Sequence, residues 1–304
     1  MLDDLARAFA GEQDLTERQG AALLAASGVV FSTTAIAYRA VDTATDWQFL
    51  AFRGASTTLA MLALVWARRR GRPVNFRGTT WRTVLAAFVL AITSMLYILA
   101  LSRTSAATTL FMLASAPVFA AGFGWILMRE RVQRTTMIAI GITLVGICVM
   151  VGSGLDAGSG LGVLFAALIP VTVGLYNVLT RADGGADPVV PALLAGAFLA
   201  VGSAAFGLVD GGLSISLHDG VLACFTGGFA LGVGLPLFNL GHKSVAAARV
   251  SLLLLTEVVL APLWVWIWPG ETPRVGTLIG GAIVLAAVVW LITIAGEHEE
   301  LLLT

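Results

Sequence analysis

Long apolar runs, separated by short polar or glycine-rich stretches, recur along almost the whole of this chain. They cover 19–38, 47–67, 83–102, 104–128, 135–153, 160–180, 188–209, 220–241, 245–268 and 275–296. A helix needs roughly 20 mostly apolar residues to cross hydrocarbon, and each run is about that long. Eight of them hold no Asp, Glu, Lys or Arg. None alternates with the period of two that a membrane barrel strand requires. In lipid the backbone must then satisfy its own hydrogen bonds within helices. The pattern predicts an all-α integral membrane fold with ten transmembrane helices.

The pattern also repeats. Ser115-Ala116-Pro117-Val118 is matched 141 residues later by Thr256-Glu257-Val258-Val259, and Glu130 and Glu271 follow at equal distance. Tyr38-Arg39-Ala40 matches Thr180-Arg181-Ala182, and Gly54-Ala55 matches Gly196-Ala197. Small residues recur in the fifth and tenth runs, at Ile140-Gly141 and Gly280-Gly281-Ala282. The expected organisation is a stub at 1–18, a five-helix repeat at 19–153, a glycine-rich linker at 154–159, a second repeat at 160–296 and a tail at 297–304. Thr16 and Gln19 have the spacing of a capping box that starts the first helix.

Charge sets the orientation. With the N-terminus inside, 13 of the 18 Lys and Arg fall on the inner side and three, Arg39, Arg103 and Arg274, on the outer, with Arg53 and Arg249 inside spans. This is the positive-inside bias of a plasma (inner) membrane protein, multi-pass, with both termini cytoplasmic. Five helices per repeat is an odd number, so the second repeat enters the membrane inverted. The loops agree: Arg129 and Arg131 flank Glu130, whereas Gly270 and Thr272 flank Glu271.

Composition narrows the chemistry. With 58% hydrophobic and 12% charged residues the chain is not a soluble domain. The first 18 positions contain Asp3, Asp4, Glu12, Asp14 and Glu17, with no basic region ahead of an apolar core, which argues against a cleaved signal peptide. His218, His242 and His298 lie at span ends or in the tail, Gly158-Ser159-Gly160 has no histidine partner, and no Gly-rich loop ends in Gly-Lys-Ser/Thr. An enzyme, ATP-driven pumping, a bound metal and any other cofactor are therefore not expected. The Arg68–Arg82 loop reads as a topogenic run, not a nucleic-acid patch. Cys148 and Cys224 read as small packing residues. Inverted repeats let each half adopt the shape its partner has just left, the physical basis of alternating access at a cavity between them. A passive channel is the rival, distinguished by non-saturable flux.

Leu99-Ala100-Leu101, Ala106-Ala107, Ala116-Pro117, Arg129-Glu130 and Gly141 in the first half, with Ala246-Ala247, Glu257, Gly270-Glu271 and Gly280 in the second, resemble the drug/metabolite transporter superfamily, in particular its EamA-type ten-helix members. Arg53 fits an arginine common in the second span of that family, and Val258 departs from its frequent proline. The resemblance spans residues 19 to 296. It implies a pathway enclosed by helices one to four and six to nine, with five and ten behind, and a secondary transporter exporting small metabolites. Amino acids, aromatic ones included, are the expected substrate; multidrug or cationic-metabolite export is the alternative. Partners are then the small-molecule substrate and membrane lipid.

Glu257 is the only acidic residue deep in a span, where a charge costs about 2.5–3.5 kcal/mol and marks a pathway or proton relay by default. It reads either as a proton-coupling or cation-contacting carboxyl, or as a packing residue held by hydrogen bonds. Arg53, whose register mate is Ala195, either attracts a substrate carboxylate or is locked to helix-end carbonyls or Asp46. Arg249 shares a face with Glu257 and reads as an interface anchor or inner-gate contact. Cavity candidates are Thr33, Thr34, Thr93, Ser94, Tyr97, Thr109, Met112, Ser115, Tyr176, Asn177, Phe238, Asn239 and Ser251, an apolar set with a few hydrogen-bonding groups. Tyr97 and Phe238 are register mates suited to paired aromatic gates. Pro117 is the expected hinge, since an internal proline removes a backbone bond and bends a helix.

Overall fold

The computed structural model describes residues 16–68, 79–129, 134–154, 160–183, 189–242, 245, 247–268 and 270–303, and among these every regular element is a helix. The first repeat contains α1 (Glu17–Arg39), α2 (Asp46–Arg68), α3 (Trp81–Leu101), α4 (Ala106–Leu113), α5 (Ala116–Met128) and α6 (Arg134–Gly154). The second contains α7 (Gly160–Asp183), α8 (Val189–Val209), α9 (Leu217–Cys224), a π-helical turn (Phe225–Leu231), α10 (Gly232–His242), α11 (Ala247–Ile267) and α12 (Val275–Leu303). Seven helical stretches are long and apolar enough to cross a membrane, and three shorter apolar ones lie at Met137–Gly152, Leu253–Ile267 and Val275–Trp290. Together they are the ten spans, arranged as two inverted five-helix repeats. The linker at 155–159, Glu130 and most of the N-terminal stub lie outside the described residues.

Local chemistry explains the boundaries. Thr16 caps α1 reciprocally with Gln19: the Gln19 N–H donates to Thr16 Oγ1 at 3.3 Å and the Thr16 N–H donates to Gln19 Oε1 at 2.9 Å. The fourth span is broken between α4 and α5, where Pro117 occupies the second position of the new helix and Ser115 N–H bonds the Met112 carbonyl at 3.0 Å. The eighth span is interrupted instead by the π turn, which brings Gly227 against the Arg53 carbonyl and leaves no room there for a Cβ.

Packing follows the internal symmetry. α2 lies on α8 through Gly54 and Gly196, register mates: a Cβ on Gly54 would stand 2.7 Å from the Gly196 carbonyl, and one on Gly196 2.9 Å from that of Gly54. The two-fold relation between the repeats therefore runs through this contact. Contacts of α1 with α10 and α11 are mirrored by those of α7 with α3 and the α4–α5 pair. α6 and α12 pack on each other, with Gly146 2.5 Å from where a Gly280 Cβ would sit. A Cβ at Gly141, one of the recurring small residues of the fifth run, would meet nothing within 4 Å.

Polar ties gather the turns at one end. Asp219 of α9 accepts the N–H groups of Asp42, Thr43 and Ala44 at 2.9–3.0 Å, and Gln48 Nε2 donates to the Gly212 carbonyl at 3.0 Å. Arg39 Nη2 donates to the Thr104 carbonyl at 2.8 Å. α4 and α5 start beside Glu271 and run away from it, so Arg129 and Glu271 cap opposite ends of the bundle. That is the inversion expected from the odd helix count. Large apolar side chains cover the perimeter, with Trp66, Trp81, Trp125 and Trp268 exposed near helix ends, as at membrane interfaces. Cys148 and Cys224, read from the sequence as small packing residues, are free thiols on this exposed surface.

Candidate functional site

The Gly54–Gly196 contact puts Arg53 beside the internal symmetry axis. Arg53 is 4% exposed, and its Nε donates to Ser94 Oγ on α3 at 3.2 Å. Tyr97, one turn further along α3, is 8% exposed. Glu257, midway along α11 and only partly enclosed, is the acidic group within electrostatic range of both. Arg53 Nη1 and Tyr97 Oη are fully enclosed without a hydrogen-bond partner. Glu257 makes no ion pair with Arg53 and no hydrogen bond among the described residues. Buried polar groups are nearly always paired, and each orphan costs about 1–3 kcal/mol. Two enclosed groups without partners, the Arg53 guanidinium edge and the Tyr97 phenol, with the Glu257 carboxylate in electrostatic range, mark a candidate polar site inside an apolar bundle.

Why Arg53 turns inward is visible in its neighbours. Asp46, the expected lock, is already filled: it accepts the Tyr38 hydroxyl, Ser102 Oγ at 3.1 Å and Arg103 Nη1 at 2.8 Å. The Arg53 carbonyl is occupied by Ser56 and Thr57 hydroxyls at 2.9 and 2.8 Å. The hydrogen bond the guanidinium does make is to Ser94 Oγ. Gly28 of α1 packs against the α11 backbone at Glu257, a Cβ there standing 3.3 Å from the Glu257 nitrogen.

The other candidates scatter. Thr33, Thr93, Thr109 and Ser115 donate to carbonyls three or four residues back on their own helices, at 2.6–3.0 Å. Thr34 and Met112 are buried, and Met112 belongs to the main apolar core. Tyr176 packs with Ala86, Val89 and Leu179 between α3 and α7, and Asn177 beside it is exposed. Phe238 packs with Leu24 and Val245. Tyr97 and its mate Phe238 therefore belong to different clusters, Tyr97 to the main core and Phe238 to the group with Leu24 and Val245. The side chains of Asn239, Arg249 and Ser251 lie outside the described residues.

Sequence reasoning did not single out the polar cluster around Arg39, Asp46, Arg103 and Glu271, since it read Arg39 and Glu271 as register and topology markers. The available signal was that both recur in the other repeat, as Arg181 and Glu130.

Residues 18–152 and again 160–293 match the EamA-like transporter family. The chain belongs to that family. It is 29% identical over 279 residues to an uncharacterized transporter of Archaeoglobus fulgidus, across 89% of this chain and 95% of the relative. A solved crystal structure at 19% identity has a TM-score of 0.64, covering 90% of this chain and 98% of the other. That likeness concerns the fold. The EamA assignment makes the protein a multi-pass membrane transporter, with the Arg53–Ser94–Tyr97–Glu257 group as its candidate site.

Proposed function

We propose that this EamA protein is a secondary transporter that exports amino acids by alternating access, holding the zwitterion between Arg53 and Glu257. One observation carries the reading: Arg53 Nη1 and the Tyr97 hydroxyl are buried without a hydrogen-bond partner, and among the described residues no ion pair joins Arg53 to Glu257. A substrate carboxylate would take Arg53 Nη1 and the Tyr97 hydroxyl, and a substrate ammonium would take Glu257. Charge-assisted bonds of this kind are about twice as strong as neutral ones. The apolar walls around them suit an uncharged side chain, aromatic ones included. Orientation with both termini in the cytoplasm of an inner-membrane protein rests on the arginine distribution.

The test is counterflow of radiolabelled L-tyrosine in proteoliposomes, with competition by tyrosine methyl ester, which lacks the carboxylate, and N-acetyltyrosine, which lacks the ammonium. The zwitterion should compete at least tenfold better than either. Glu257→Gln should weaken uptake and abolish discrimination against the N-acetyl compound. Equal competition by the methyl ester would instead support cationic-metabolite export, which Glu257 alone favours. Non-saturable flux would point to a channel.

A further inference from the structure

The ion pair at the Glu271 end is separate from the Arg53–Glu257 site, and it is built from both repeats. α11 finishes in a left-handed turn at Gly270, φ +89°, whose N–H and that of Glu271 both bond the Val265 carbonyl, at 3.1 and 3.0 Å. A Cβ at Gly270 would meet nothing within 4 Å, so backbone conformation rather than crowding calls for glycine there. The turn delivers Glu271 to two partners. Its Oε1 accepts the N–H of Ala106, the first residue of α4, at 2.7 Å, and its Oε2 pairs with Arg39 Nη2 at 2.8 Å. The same Nη2 holds the Thr104 carbonyl. One carboxylate thus ties the end of α1 and the start of α4 to the α11–α12 turn. An open depression of about 380 Å³, lined by Arg39, Ser102, Arg103, Thr104, Ser105 and Glu271, lies over the tie.

The chain repeats the parts. Arg39, Ala106 and Glu271 have register mates in Arg181, Ala247 and Glu130. Arg129, mate of Gly270, is also left-handed, φ 55°, the sole non-glycine residue with positive φ among the described residues. Its N–H bonds the Gly124 carbonyl, and Gly124 is the mate of Val265. An L-residue held left-handed is strained, so the turn ahead of the glutamate is kept against local preference. Glu130 itself and the Arg181 side chain lie outside the described residues.

We infer that the Arg39–Glu271 pair is a latch: it closes this end of the pathway and must part before the Arg53–Glu257 site opens there. The inference rests on the alternating-access reading above. The side chains of the pair are 22% and 23% exposed. An ion pair in water's reach is weak, whereas breaking a buried one carries a heavy penalty. A contact remade in every cycle needs the first kind.

Ser94→Cys, in a Cys148→Ala, Cys224→Ala background, reports whether the site is reachable. The reconstituted protein is treated with a membrane-impermeant methanethiosulfonate on the Glu271 face. Glu271→Gln keeps an acceptor for the Ala106 N–H but loses the charge. It should label about fivefold faster, the population shift produced by removing one partly exposed pair. Arg39→Gln should do the same, Arg39→Lys should stay near the parent rate, and Glu130→Gln should not speed labelling from this face. Parental rates in both Glu271→Gln and Arg39→Gln would overturn the latch, as would equal acceleration by Glu130→Gln. Should Glu271→Gln elute as aggregate, the Arg39→Lys and Arg39→Gln rates decide on their own, and equal rates in those two count against the latch. Labelling needs no substrate, so rejection of amino acids as cargo leaves this result standing.

Discussion

Arg53 in the first repeat and Ala195 in the second occupy the same register position, on helices that touch one residue later at Gly54 and Gly196. The backbone there is nearly two-fold symmetric and the chemistry is not. The same holds one pair of spans away: Ala116-Pro117 breaks the fourth span, whereas its mate Glu257-Val258 continues an unbroken α11 and carries an acid. Ser94 and Tyr97 correspond to Leu235 and Phe238, which carry no hydroxyl. Symmetry supplies two halves able to exchange shapes, and departures from symmetry supply the site. A symmetric site would bind a zwitterion in two opposed orientations; a single arginine facing a single glutamate fixes one.

Breaking the symmetric part should have the largest effect. Gly54→Val places a Cβ within 2.5 Å of the Ala200 nitrogen, a backbone atom that cannot swing aside. The expected cost is about 3 kcal/mol, the upper part of the overpacking range. It should appear as a lowered thermal midpoint in detergent and poor recovery of monodisperse protein. Wild-type melting would mean that α2 and α8 are free to separate.

Breaking the asymmetric part should spare the fold and remove transport. Arg53→Gln is expected to lower uptake about 100-fold, the scale of losing one buried charge at a binding interface. Moving the charge across the axis, with Arg53→Ala and Ala195→Arg together, should not restore uptake, because Leu235 and Phe238 replace the groups that receive the guanidinium. Recovery to within threefold would show that backbone symmetry alone builds the site.

The smallest effect is expected at the broken span. Pro117→Ala allows α4 and α5 to join, which should slow turnover about threefold while leaving apparent affinity unchanged, as for a change in a conformational step. A shift in affinity with constant turnover would place the break in the binding surface instead.

Much of the fold was legible because its signals are local. Run length set the spans, Thr16 and Gln19 set the first helix start, and Pro117 marked the interruption that α4 and α5 show. The π turn was not legible. Phe225–Leu231 reads as ordinary apolar helix, and what accompanies its distortion is the approach of Gly227 to the Arg53 carbonyl from another repeat. Of the site, Arg53 and Glu257 stood out because charges in hydrocarbon are rare. Ser94 did not stand out among the ten hydroxyl and aromatic candidates, several of which proved to be bonded to their own helix backbones, and Tyr97 stood out only as a gate paired with Phe238.

The order of apolar runs, the placement of arginines and the 141-residue register determined by themselves that this chain crosses lipid ten times in two inverted halves, because lipid solvation acts on each segment one at a time. Which polar groups meet was decided by tertiary structure alone. Arg53 could have gone to Asp46, but Tyr38, Ser102 and Arg103 occupy that carboxylate. Glu271 finds Arg39 across 232 residues of chain. Such pairings depend on the depth and rotation of packed helices, quantities that no single segment carries.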